Sequence, residues 1–390
     1  MSRSFSSNLR GKVRNFSLPK NRPLVPLYEA VVNAINAIDE RANKQGAFQG
    51  SVEIKVIRDR TLFSNSDKNT IRGFHVQDNG IGFDETNMAS FMEADSEHKI
   101  AIGGKGVGRF SWLKAFSSVQ IVSTYKENAQ FVTREFDFSL DCLDIEDVLK
   151  NDSDATAYCT VVKLTGYRDD YEKEVPKQLN TIAIRIIEHC LVFFLSKKCP
   201  DITIYDDEDS LSLNKIFRER FFTDDNRRLF TIGEQEFSLL NIKINDRTFP
   251  HKNRLYLCAN NRLVDSKDLE KIIVNLDSEI FEEEGYWYLG VLTGSYLDEN
   301  VDINRLSFII PQEGSALSPG LNDIVRSAAN VVQEYLSEYL KGIEEKKQER
   351  ILKYTTEIAP QYRHLEHYVP ERISALKPGL FLGRFPRFAI

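Results

Sequence analysis

Long apolar runs are missing from this chain. The strongest, Leu191 to Leu195, is far too short to cross a bilayer, which takes about 20 apolar residues. The opening "MSRSFSSNLRGKVRNF" lacks the apolar stretch of a secretory leader. Cysteine is sparse: five residues, Cys142, Cys159, Cys190, Cys199 and Cys258, with no CxxC pair. An odd, scattered set without an export signal reads as free thiols in a reducing compartment. The expected location is therefore cytoplasmic, with no membrane partner and no cysteine-based metal site. His364 and His367 stand at i, i+3 without a further ligand nearby, so they read as solvated side chains. Acidic residues are absent before Glu29, and Arg3, Arg10, Lys12, Arg14, Lys20 and Arg22 make that stretch basic. The whole chain nevertheless carries a net charge of −7, which excludes a surface that is uniformly a nucleic-acid footprint. Two phosphate-binding signatures are also missing: there is no GxxxxGK[ST], and no GxGxxG follows the first expected strand.

What remains is ordinary globular composition, 42% hydrophobic and 28% charged over 390 residues, enough for two or three domains. Pro26 opens a helix, "PLYEAVVNAINAIDERANKQ", at the position where proline is tolerated. Strands are expected at "SVEIKVIRD", "IRGFHVQD", "SSVQIVSTY", "FVTREFDF" and "CTVVKLTGY", with a helix at "FSWLKAF" and another over Gln178 to Lys197. Composition shifts near Pro200; strands are then expected at "DITIYDD", "FSLLNIKI", "NRLYLCANNRLV" and "WYLGVLTG". From Leu321 onward Ile324, Val325, Ala328, Val332, Tyr335, Leu336, Tyr339, Leu340 and Ile343 recur at helical steps. "EEKKQER" reads as the solvated face of that helix. The fold class is α+β. The expected divisions are a basic arm (1–25), a first domain (26–199), a second α+β domain (200–312) and a helical region (313–390).

Three stretches carry candidate chemistry. "GGKGVGRFSWLKAF" sets four glycines and Lys105 directly before a helix. Bare N–H groups at a helix start suit a phosphate, while a structural turn explains the same glycines equally well. On the first helix Glu29, Asn33 and Asn36 share one face, opposite Leu27, Val31, Ala34, Ile35 and Ile38. A plain solvent face accounts for them. So does a carboxylate that takes a proton from water beside an amide oxygen for Mg²⁺. In "VQDNGIGF", Asp78 at a strand end can accept from an exocyclic amine, and glycines spaced by one let the backbone curl near a flat ligand. A tight turn with Asx chemistry is the alternative.

In the order E-x3-N-x2-N, DNGIG, GGKGVG, the chain resembles the GHKL ATPases: gyrase-type topoisomerases, HtpG-type chaperones, histidine kinases, and MutL and MORC proteins. The motifs span Glu29 to about Thr160. The resemblance implies a Bergerat-type ATP-binding α/β sandwich, followed by a ribosomal-protein-like transducer domain and a C-terminal helical segment. It implies Glu29 as the general base, Asn33 as the Mg²⁺ ligand and Asp78 as the reader of adenine. Gly80 and Gly82 would shape the pocket and Phe83 would line it. Gly103, Gly104, Lys105, Gly106, Val107 and Gly108 would contact phosphates, and Thr160 in "CTVVKL" would bond Asp78 directly or through water. Many members carry Asp three residues after the Mg²⁺ asparagine, whereas this chain has Asn36, so a ribose or water contact differs there. "LCANNRLV" is similar to the family's transducer strand. "VDINRLSF" is similar to the loop that brings a basic residue to the γ-phosphate, with Arg305 in that role or as a plain surface arginine.

The implied function is an ATP- and Mg²⁺-dependent switch that pairs as a nucleotide-gated homodimer, with DNA or a protein as further partner. The whole-chain look is closest to uncharacterised bacterial GHKL proteins of DNA transactions or phage defence. The basic arm suits exchange across such a dimer, a phosphate-backbone contact, or disorder. A sensor kinase is disfavoured because no histidine precedes Glu29. A topoisomerase is disfavoured because no cleavage region follows. An HtpG-like chaperone, or a nucleotide-sensing binding module with little turnover, is the alternative.

Overall fold

The computed structural model describes residues 9–59, 69–92, 108–140, 147–151, 154–196, 199–222, 227–244, 253–276, 287–302, 306–315, 318–357 and 360. The chain forms two compact units, Met1–Phe217 with Asn260–Arg262, and Arg218–Ala259 with Leu263–Ile390. Gly103, Gly104, Lys105, Gly106, Val107, Arg305, Cys142, His364 and His367 lie outside the described residues. Both units are mixed α+β, and no helix among the described residues is long and apolar enough to cross a membrane.

In the first unit, in chain order, the elements are α1 (Leu9–Asn15), α2 (Val25–Gln45), β1 (Ser51–Arg58), β2 (Ile71–Asp78), α3 (Glu85–Met92), α4 (Arg109–Ala115), β3 (Phe116–Glu127), β4 (Gln130–Asp137), β5 (Val148–Asn151), β6 (Cys159–Tyr167), α5 (Asp169–Glu172), α6 (Leu179–His189), α7 (Leu191–Phe194), β7 (Asp201–Tyr205), β8 (Ser210–Ser212) and α8 (Leu213–Arg220, whose end from Arg218 on falls in the second unit). The eight strands make one sheet, ordered β5-β4-β3-β6-β2-β1-β7-β8. Only the β1–β7 pair is parallel; the others are antiparallel. Alternating burial leaves one face for the core. Ile204, Ile54, Val76, Val162, Ile121 and Phe136 are register partners in turn across six strands, and all are buried. Helices α2, α4 and α6 pack against this sheet.

Several expectations are corrected. Composition places a boundary at Pro200, yet β7 joins the first sheet through β1, with Ile202 and Ile204 fully buried. The first unit therefore runs to Phe217. The helix expected over Gln178–Lys197 breaks at Cys190 into α6 and α7. The arm is not free along its described length. Residues 9–15 form α1, Val13, Phe16 and Leu18 are buried, and Lys114 Nζ donates to the Val13 and Arg14 carbonyls at 3.3 and 3.1 Å. Tyr171 and Tyr167 donate their hydroxyls to the carbonyls of Leu18 and Pro23 at 3.0 and 2.7 Å. Three buried apolar side chains stabilise by on the order of 5 kcal/mol. Deleting residues 1–22 is thus expected to lower the melting temperature by on the order of 10 °C. A calorimetric scan decides it, and a shift under about 2 °C would show that the arm lies outside the core.

The second unit holds β9 (Phe221–Phe222), β10 (Arg227–Ile232), β11 (Gln235–Ile244), β12 (Arg254–Ala259), β13 (Arg262–Asp268, whose first residue, Arg262, belongs with the turn before it to the first unit) and β14 (Trp287–Thr293). The sheet order is β10-β11-β14-β12-β13, with β9 beside β11. The single strand expected over "NRLYLCANNRLV" is a hairpin, because Asn260 and Asn261 take φ of 50° and 62°. Two left-handed residues make the tight turn that matches strand twist, and asparagine tolerates it. The helix Leu321–Tyr335 buries Leu321, Ile324, Val325, Ala328 and Val332, the stripe read from sequence. A second helix, Ser337–Glu357, includes "EEKKQER", but Lys347 is buried and donates to Asn275 Oδ1 at 3.0 Å, so that run is not wholly solvated.

Candidate functional site

The polar residues of the first unit gather along one row of its sheet. Pairing places Asp78 opposite Thr160, Thr160 opposite Ser123 and Ser123 opposite Arg134, on four adjacent strands. All four are buried. Buried polar groups persist only when paired, and these are. Ser123 Oγ and Thr160 Oγ1 share a hydrogen bond of 2.8 Å. Asp78 Oδ1 accepts from the Gly80 N–H at 2.8 Å, closing an Asx turn.

The DNGIGF loop is held from three sides. Ile81 N donates to Ala37 O at 3.0 Å, and Arg41 Nη1 donates to Asn79 O at 2.6 Å, both from α2. Asn79 also ties the loop to the start of β1, accepting from Ser51 N at 2.9 Å and donating to Gln49 O at 2.9 Å. Phe83 donates its N–H to Ser123 Oγ at 3.0 Å and accepts at its carbonyl from Arg134 Nη1 at 2.9 Å. Arg134 further pairs with Glu85 through Nη2. Its Nε lies 3.0 Å from Asp147 Oδ2, within ion-pair distance but without hydrogen-bond geometry. The Phe83 ring meets Phe91 and Phe136 edge-on, with centroids 5.5 Å apart in each case.

The glycines have local reasons. A Cβ at Gly80 would lie 2.7 Å from Ala37 backbone and side-chain carbons, so only glycine lets the loop touch α2. Gly82 has φ of +83°, which favours glycine, and a Cβ there would meet Ser123 Oγ at 2.9 Å. The close approach seen is to the protein's own backbone and side chains, as the tight-turn alternative has it.

On α2 the three motif residues differ in exposure: Glu29 is buried, Asn36 is half-buried and Asn33 is exposed. Ala30 and Val32 are buried as well as the expected apolar stripe, so the first turns of α2 are enclosed all round rather than half-solvated. Glu29 is not a solvent-face residue. Its Oε1 is paired with Arg262 Nη1, the side chains being 10% and 5% exposed. Its Oε2 faces Gly108, where any Cβ would overlap the carboxylate. Gly108 starts α4, and Trp112 Nε1 on that helix donates to Pro26 O at 3.0 Å, fixing α4 to the start of α2. α4 is only seven residues long, so its start offers a phosphate little dipole attraction.

Asp78, Gly80, Gly82, Phe83 and Thr160 are thus brought together on β2, β6 and the loop after β2, and Glu29 meets Gly108 between α2 and α4. Ser123, Arg134, Asn79 and Arg262 are further members that sequence reasoning passed over. Ser123 and Arg134 become visible only through strand register, because nothing in "SSVQIVSTY" or "FVTREFDF" marks them. Among the described residues no cluster of three or more His, Cys, Asp or Glu could hold a metal. A Mg²⁺ at Asn33 would therefore rely on ligands from a bound nucleotide. Among the described cysteines, burial pushes the Cys190, Cys199 and Cys258 thiols up to about 12, which removes them as nucleophiles. The chain matches no known protein-family model and no curated protein sequence.

Proposed function

We propose that this chain is a Mg²⁺-dependent ATPase with a Bergerat-type first domain, acting as a slow, nucleotide-gated switch that pairs as a homodimer. The observation that carries the reading is the buried Asp78–Thr160–Ser123 row beside a loop cinched to α2. A buried carboxylate flanked by a hydroxyl pair suits an exocyclic amine and a ring nitrogen, the pattern of adenine. Glu29 is the base and Asn33 the metal ligand. Lys105 and Gly103–Gly108 contact the phosphates, and Arg305 reaches the terminal phosphate. The cellular role is a DNA-transaction or phage-defence switch in the cytoplasm, with DNA or a protein as trigger.

Calorimetric titration with Mg²⁺ and ATP, then with GTP, tests the site: saturable ATP binding with weaker GTP binding is expected. Light scattering with a non-hydrolysable ATP analogue tests pairing, and a doubled mass is expected. No heat with either nucleotide would sink the assignment. A mass unmoved by the analogue would leave a switch that does not dimerise. The alternative, a nucleotide-sensing module with little turnover, draws on the engagement of Glu29 by Arg262. A hydrolysis rate at background, with ATP bound, would favour it.

A further inference from the structure

Glu29 is a poor base in the state described. A general base needs a water within hydrogen-bond reach of a carboxylate oxygen, about 2.6–3.2 Å. One oxygen is occupied by the Arg262 guanidinium, and the other is walled by the Gly108 backbone. Only 8% of the residue is exposed. Asn260–Arg262, the turn that supplies the arginine, belongs to the first unit. Cys190, within electrostatic reach of both charges, is a neutral neighbour because burial keeps its thiol protonated. The pair therefore has no competing ion at that position to loosen it.

We propose that the Glu29–Arg262 ion pair, closed over by Gly108, is a latch that must open before a triphosphate can be accommodated and its attacking water admitted. The proposal rests on the ATPase reading above. The latch does not act on the base end of the nucleotide, where Asp78 and Thr160 lie. A diphosphate needs no room for a terminal phosphate or its water, so it binds with the latch closed. A triphosphate binds only the open fraction, and its apparent affinity is lowered by that fraction. Weakening the latch from either side should remove that penalty. Arg262→Met removes the cation and keeps most of the volume. Glu29→Gln keeps an acceptor but gives up the charge assistance that roughly doubles such a bond.

The test is titration of the full chain, with Mg²⁺, by a non-hydrolysable ATP analogue and by ADP. Parent, Arg262→Met, Glu29→Gln and the double variant are compared. Each single variant is expected to bind the analogue about five- to tenfold more tightly, with ADP affinity unchanged. The double variant should gain little beyond either single one, because both break the same pair. Glu29→Gln is nearly isosteric and carries the test alone if Arg262→Met does not fold. Analogue affinity equal to or weaker than the parent's in Glu29→Gln or in folded Arg262→Met would overturn the latch. So would equal tightening toward ADP, which would report general loosening. A parent that binds neither nucleotide overturns the ATPase reading and the latch with it, whereas a parent that binds both, with variants unchanged, overturns the latch alone.

Discussion

Glu29→Gln is expected to keep ATP bound and to lower hydrolysis by at least about a hundredfold, the usual contribution of a general base. Glutamine preserves the shape and an acceptor for Arg262, but it cannot take a proton from water. Alanine is expected to abolish turnover too, yet it is the less clean probe. It strands the Arg262 guanidinium, 5% exposed, without its partner. Removing one member of a buried ion pair typically costs about 3–5 kcal/mol. A loss of activity in Glu29→Ala then mixes chemistry with stability, so melting temperature and turnover belong in the same preparation. Hydrolysis by Glu29→Gln at the parent rate would remove Glu29 as the base.

The second large effect is at the other end of the site. Asp78→Asn should weaken nucleotide binding by about ten- to a hundredfold, since an unpaired or mismatched buried polar group costs about 1–3 kcal/mol. The asparagine keeps an oxygen for the Gly80 N–H, which Asp78 now holds at 2.8 Å, so the Asx turn survives. What changes is the other half of the group. An amide nitrogen presents a donor where adenine's amine also donates, and it stands beside Thr160 in the register. The preference for ATP over GTP should fall with the affinity. Calorimetric titration of both nucleotides checks this, and an affinity for ATP equal to the parent's would refute the role of Asp78.

Much of the secondary structure was legible. The strand "CTVVKLTGY" is β6 residue for residue, and "IRGFHVQD" is β2. Alternation and the Leu321–Val332 stripe are periodic signals that local propensity and burial both reinforce. Two of the misreadings depended on a distant partner, and one on a turn without punctuation. β7 looks like the start of a new domain until it pairs with β1, about 150 residues earlier in the chain. "NRLYLCANNRLV" looks continuous because an Asn-Asn turn carries no glycine or proline to punctuate it. Lys347 sits in a charged run, yet it is buried and bonded to Asn275, 72 positions earlier.

By itself the sequence determined which residues form the helix with Glu29, Asn33 and Asn36, where Asp78 ends its strand, and which apolar stripes build the cores. These are local, periodic properties, set by side-chain chemistry at short spacing. Only the tertiary structure decided that Thr160, Ser123 and Arg134 stand in line with Asp78, because register is a relation between strands and a shift of one residue would turn each of them to the opposite face. It likewise decided that Glu29 is buried against Gly108 and paired with Arg262, 233 positions away. Nothing within either segment encodes that meeting; it follows from where the fold closes the chain on itself.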